Sequence, residues 1–251
     1  MRRFSICFFI LLFLFSCNRH LVVKEIDTKN ISVRPQLAPL DSTLESIVKP
    51  YRDSLQKDMS TLIAVSATPL IKDKPESKLT NLVSDILLDA GKSYCQQQNL
   101  NIIPDAAYVN YGGLRASLPK GDITVERIFE LMPFENEVVI VKISGDALLQ
   151  MADKIAGRGG EGIAGFRMGI SKGKVSSLMI QGKTVDLDAY YWVVTSDYVA
   201  NGGDQMSMFA NSQRINTGMK IREVLIHSMA ERYQNSGIID VKEDGRIFNE
   251  Q

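Results

Sequence analysis

Behind Asp41, a good N-cap, the apolar residues Leu44, Ile47, Val48, Tyr51, Leu55 and Met59 recur at three- and four-residue spacing. That period predicts an amphipathic helix over about 41–59. Pro50 lies inside the run and predicts a kink or an interruption, because proline has no N–H for the preceding turn. A strand is predicted at 62–67. A second helix follows at about 77–97, with Leu79, Leu82, Val83, Ile86, Leu87 and Ala90 on its buried face and Gly91 tolerated inside it. Short apolar segments bounded by glycine and proline then predict strands at 107–110, 138–143, 175–180 and 192–196. Further helices are expected at about 145–156 and 218–233. Single helices alternating with groups of strands predict one α/β or α+β domain, with mixed sheets flanked by helices, from residue 41 to the end. No internal repeat is present, and no shift in composition divides the chain after residue 41.

The first forty residues follow a different pattern. Arg2 and Arg3 precede the apolar run 4–15, a charged start and a short hydrophobic stretch like those of secretory signals. The run falls short of the roughly 18–20 residues that a helix needs to cross a bilayer. It ends Leu14-Phe15-Ser16-Cys17, which resembles the bacterial lipobox, so residues 1–16 are expected to be a lipoprotein signal peptide and Cys17 the lipidated mature N-terminus. Residues 17–40, with Pro35 and Pro39 and no sustained periodicity, are expected to be a tether. This predicts a membrane-anchored protein of the bacterial cell envelope, facing an extracytoplasmic space on the periplasmic side or the surface. Cys7 leaves with the signal and Cys17 is acylated, so Cys95 stands alone and no intramolecular disulfide is expected.

Composition narrows the function. The 251 residues carry 29 Lys+Arg against 29 Asp+Glu. A chain of zero net charge lacks the basic footprint of a nucleic-acid polymer binder. His20 and His227 are the only histidines. No phosphate loop, nucleophile elbow or Cys-x-x-Cys pair occurs, and no carboxylate pair is singled out by spacing, so no catalytic residue is assigned. The glycine-dense run 157–169 reads as a loop and the start of a strand.

Three glycine-bearing turns carry the candidate chemistry: Asn110-Tyr111-Gly112-Gly113-Leu114-Arg115, Met132-Pro133-Phe134-Glu135-Asn136-Glu137, and Ser196-Asp197-Tyr198-Val199-Ala200-Asn201-Gly202-Gly203-Asp204. Paired glycines permit left-handed dihedrals and close approach, so flanking Asn, Arg and Asp side chains are free to converge on a small ligand. Each turn alone is equally a tight turn whose polar groups satisfy the local backbone.

In order and spacing the three turns resemble the C-terminal substrate-binding domain of bacterial and animal 5′-nucleotidases, over about residues 60–210. Gly121-Asp122-Ile123-Thr124 and Gly165-Phe166-Arg167 belong to the same resemblance. It implies that Phe134 and Tyr198 sandwich a nucleobase, that Asn110 bonds the base edge, that Asp204 accepts the ribose hydroxyls and that Arg115 steadies the remainder of a nucleotide. Gly112, Gly113, Asn201 and Gly203 would complete the substrate-binding loops, and Lys78 falls where some relatives place a basic ligand contact. Three positions depart from the family pattern. Tyr111 and Gln205 replace glycines, and Thr80 stands where glycine is usual; a side chain at 111 is expected to narrow or re-floor the base pocket.

In that family a metallophosphoesterase domain supplies two divalent metals held by histidines, aspartates and an asparagine. This chain shows no such set, so no metal or other cofactor is expected in it, and divalent metals are expected only in a partner. The resulting expectation is the nucleotide-recognition half of a 5′-nucleotidase-type hydrolase in nucleotide catabolism, working beside a separately encoded metallophosphoesterase. The apolar face of the 41–59 helix is a candidate docking surface for that partner, or else packs on the core. The alternative is a free-standing surface lipoprotein that binds nucleosides or nucleotides without catalysis.

Overall fold

The computed structural model describes residues 23–29 and 41–250. The expected signal 1–16, Cys17, His20 and most of the 17–40 tether lie outside the described residues. Residues 23–29 are irregular and exposed. The chain divides into two compact units, Met1–Val48 and Lys49–Gln251. Among the described residues no helix is long and apolar enough to cross a membrane.

Helix α1 (Ser42–Met59) begins as expected, with Asp41 Oδ1 accepting the N–H groups of Thr43 and Leu44 at 2.9 and 3.1 Å. Pro50 does not interrupt it. No residue of the helix is buried, so water can satisfy the carbonyl one turn back that the missing N–H leaves free. Its apolar stripe is not part of a core: Leu44, Ile47, Val48, Tyr51 and Leu55 are all exposed.

From residue 62 the chain runs β1 (Leu62–Ser66), α2 (Lys78–Gln97), β2 (Ala106–Val109), β3 (Gly121–Thr124), α3 (Val125–Leu131), β4 (Glu137–Ser144) and α4 (Gly145–Gly157). It continues through β5 (Gly162–Ala164), β6 (Phe166–Ser171), β7 (Lys174–Ile180), β8 (Lys183–Thr184), β9 (Tyr190–Ser196) and the one-turn α5 (Asp197–Ala200). The last elements are β10 (Gln213–Lys220), α6 (Ile221–Ser236) and β11 (Ile247–Asn249). A five-stranded sheet of order β10-β4-β9-β2-β5 forms the centre, with a four-stranded sheet β11-β6-β7-β8 and a β1-β3 pair beside it.

The central sheet is buried on both faces, which is why its strands read as unbroken apolar runs. Alternation along β4 sends Val138 and Ile140 to one side, against Leu79, Val83, Ile86 and Leu87 of α2 and Leu225 of α6. Val139, Val141 and Ile143 go to the other side, against Leu148, Met151 and Ile155 of α4 and Phe166, Met168 and Leu178 of the second sheet. The mixed α/β class with helix-flanked mixed sheets is the one expected.

Differences fall at the edges. Strand β10 was not expected, because Gln213–Lys220 lies at the sheet edge, has no apolar run and carries a bulge between Asn216 and Lys220. The last helix accordingly starts at Ile221 and not at Gly218, which has φ +73° inside the bulged strand. Thr80 has a local purpose. Ser77 caps α2 by accepting the Thr80 N–H, and the Thr80 hydroxyl accepts the Ser77 N–H in return, a capping box that glycine cannot make.

Candidate functional site

Strands β2 and β9 run parallel, and β4 runs antiparallel to β9 with Val138 opposite Ser196. The C-terminal ends of β2 and β9 and the N-terminal end of β4 therefore meet at one end of the sheet. The turns Asn110–Gly113, Phe134–Asn136 and Tyr198–Asp204 leave or enter those strand ends, and they enclose a cleft of about 340 Å³. Crevices outside the carboxyl ends of strands are where open α/β sheets receive ligands.

Seven of the ten expected binding residues line this cleft: Asn110, Gly112, Gly113, Arg115, Phe134, Tyr198 and Asp204. The other three do not. Lys78 donates to the Thr68 hydroxyl at 3.1 Å. Asn201 accepts from Arg214 at 2.7 Å. Gly203 acts from behind: a Cβ there would lie 2.5 Å from the Tyr198 ring, so glycine is what lets the turn close against that ring. Asn136 lines the cleft and had not been singled out, although it sits two residues past Phe134 at the mouth of β4. Its side chain has no hydrogen-bond partner among the described residues.

Both rings face solvent in part, Phe134 at 41% and Tyr198 at 46% exposure. Neither is core. The Phe134 turn is held by Arg222, a buried side chain of α6 that donates to the carbonyls of Met132 and Phe134 at 3.4 and 3.3 Å, pairs with Glu135 and stacks over Phe129 at 4.1 Å. The Arg222 hydrogen bond and charge hold the Glu135 carboxyl below its usual range. Across the cleft, Asp204 accepts from Asn110 Nδ2 at 2.6 Å and from the Tyr198 hydroxyl at 3.1 Å, and its N–H donates back to that hydroxyl at 3.2 Å. Each carboxylate oxygen keeps a free lone pair for a ligand.

Tyr111 does not floor the cleft. Its ring carries Lys72 Nζ at 4.0 Å and Lys74 Nζ at 4.9 Å, and its hydroxyl donates to the Lys72 carbonyl at 3.3 Å. Lys72 Nζ also donates to the carbonyls of Tyr111 and Leu114 at 3.1 and 2.7 Å. Burial first, then the charges of Arg115 and Lys74, push the Lys72 amine below its ordinary pKa. Three cations thus crowd the Arg115 side of the cleft.

A two-metal centre does not fit these residues. No three His, Cys, Asp or Glu side chains gather into a metal-ligand group among the described residues. His227 lies exposed on α6. Cys95 is a free, buried thiol whose pKa burial raises.

A family model described as "5'-nucleotidase, C-terminal domain" matches residues 62–211, more than half of the chain, and the chain belongs to that family. It is 29% identical over 191 residues to a 5′-nucleotidase of Vibrio cholerae serotype O1, covering 74% of this chain and 34% of that protein. It is 30% identical over 162 residues to an apyrase of Tabanus yao, covering 55% and 28%. The crystal structure of a 5′-nucleotidase precursor from Thermus thermophilus matches with a TM-score of 0.68 at 25% identity, over 86% of this chain and 44% of that one. The chain thus spans about a third of the length of the relatives it matches in sequence.

Proposed function

We propose that this chain is the nucleotide-recognition part of a 5′-nucleotidase-type hydrolase, holding base and ribose while a metallophosphoesterase on a separate polypeptide breaks the phosphate ester. The observation that carries this reading is one cleft lined by two half-exposed aromatic rings from different loops, together with Asp204 and Arg115. A flat base stacked on such rings gains about 1 to 3 kcal/mol per ring and tolerates changes of base. The free lone pairs of Asp204 suit ribose hydroxyls, and the unpartnered side-chain amide of Asn136 matches the mixed donor and acceptor edge of a base. The planar fork of Arg115 suits a phosphate, with Lys72 and Lys74 adding charge beside it.

One observation supports a source of chemistry outside this domain: the described residues gather no metal-ligand group. Two-metal hydrolysis needs such a group to activate water and clamp the phosphoryl oxygens. Lipidation at Cys17 would hold the domain on an extracytoplasmic membrane face, and it predicts radiolabelled palmitate incorporation that Cys17→Ser abolishes.

Phosphate release from AMP tests the reading. The chain and a candidate metallophosphoesterase are assayed singly and mixed with Mn²⁺; release is expected to rise in the mixture. Enzymatic release by this chain alone, with contaminating phosphatase excluded, refutes the division of labour. Adenosine binding with no gain in any mixture returns the protein to a free-standing surface receptor.

A further inference from the structure

The glycine-dense run after α4 has a use that its sequence did not disclose. Gly159 and Gly160 take φ of +79° and +114°, and a Cβ on Gly160 would lie 2.1 Å from the Pro75 carbonyl oxygen. This tight passage places Arg158 and Glu161 beneath β2. The buried Glu161 carboxylate accepts the hydroxyl of Tyr108, itself fully buried two residues before Asn110, and Arg158 Nη1 donates to Glu161 at 3.2 Å. The other arm of the guanidinium, Nη2, donates to the main-chain carbonyl of Asp204.

That carbonyl belongs to a strained turn. Asp204 and Gln205 are consecutive non-glycine residues with φ of +50° and +60°, a conformation L-residues adopt reluctantly. Gln205 contributes no side-chain hydrogen bond among the described residues, so the turn is kept by its contacts and not by its own preference. The bonds from Asn110 and Tyr198 hold the carboxylate of Asp204, and only Arg158 among the described residues holds its carbonyl. Glu161 fixes one arm of a rigid fork so that the other is aimed.

We infer that Arg158, braced by Glu161 and Tyr108, is the positioning residue that sets Asp204 for the sugar and so governs discrimination by the ribose hydroxyls. This rests on the assignment of Asp204 to the ribose. The contribution is to the sugar and not to the base, because the Arg158 guanidinium bonds Glu161, Tyr108 and the Asp204 carbonyl and no residue of the Phe134 turn; toward the Arg115 side only its main-chain carbonyl is engaged, by Lys74.

Calorimetry of the full chain with adenosine and 2′,3′-dideoxyadenosine tests it, since stacking is common to both ligands. The wild type is expected to prefer adenosine. Arg158→Gln is expected to weaken adenosine about tenfold while leaving dideoxyadenosine within about twofold, so that the preference collapses. Arg158→Lys, which keeps the charge but replaces the two nitrogens that separately reach Glu161 and Asp204 with one, is expected to do the same and serves if the first variant folds poorly. Equal weakening of both ligands, or an unchanged preference, overturns the inference. A wild type that binds neither ligand defeats the nucleoside reading instead. Amide hydrogen exchange then decides the positioning: faster exchange at Asp204–Met206 in Arg158→Gln, with α2 unchanged, upholds it, and unchanged exchange overturns it.

Discussion

Truncating Phe134 is the sharpest probe of the cleft, because the ring is exposed and belongs to neither core cluster. A phenylalanine side chain offers roughly 200 Å². At 41% exposure about 80 Å² of it is open to a ligand, worth about 2 kcal/mol at ~25 cal/mol per Å². That value falls within the ~1 to 3 kcal/mol found for base stacking on aromatic side chains. Phe134→Ala should therefore weaken adenosine binding about 30-fold by calorimetry, with the melting temperature unchanged. Tyr198→Phe separates the ring from the hydroxyl. It keeps the stack and loses the bond to Asp204 Oδ1, so a loss of only about fivefold is expected. Binding within twofold of wild type in a folded Phe134→Ala protein would show that the ring is not a stacking surface, and the argument from the two half-exposed rings would fail with it.

Gly203→Ala should cost at least as much affinity as losing the Tyr198 ring, because the new Cβ meets that ring at 2.5 Å and the Tyr198 carbonyl oxygen at 2.6 Å; wild-type adenosine affinity would refute this. Gln205→Gly should raise stability by about 0.5–1 kcal/mol, since an exposed side chain without hydrogen bonds gives up a left-handed φ of +60°; a lowered melting temperature contradicts it. Burial raises the Glu161 carboxyl above its usual 4.5, so folding takes up a proton there and this group's contribution to stability falls as pH rises from 4.5 through the folded value. Melting of Glu161→Gln against wild type should therefore shift in the variant's favour as pH rises across that window, and a parallel pair of pH profiles rules this out. A bound phosphate should raise the depressed Lys72 amine, so AMP affinity should fall relative to adenosine as pH rises through the free-protein pKa of Lys72; calorimetry in buffers of different ionisation enthalpy detects the proton taken up.

The legible parts of this fold are those buried on two sides. Val138–Ile143 is apolar at nearly every position because helices cover one face of β4 and a second sheet the other. The edge strand β10 mixes half-exposed and exposed residues and leaves no such record. The candidate cleft was legible where a turn follows a buried strand, since glycine pairs and flanking polar residues are local signals. The brace beneath it was not. Tyr108 and Glu161 are 53 residues apart in sequence, and a contact of that separation has no periodic signature in one chain. Asn136 was visible as part of the Phe134 turn, but an amide beside an aromatic carries no signal until the fold turns it into a cleft.

The three departures from the family pattern locate where this cleft differs. Thr80 is absorbed by the cap of α2, and Gln205 is exposed on a turn held by Arg158. Neither touches the space between Phe134 and Tyr198. Tyr111 also leaves that space unchanged, but its ring gathers Lys72 and Lys74 beside Arg115. Burial first, and then the charges of Arg115 and Lys74, lower the Lys72 pKa; a multiply charged anion relieves the like-charge part of that cost where a neutral ligand does not. On the proposed reading, Tyr111 therefore bears on the charged end of a nucleotide, and base selection would fall to Phe134, Tyr198 and the amides of Asn110 and Asn136.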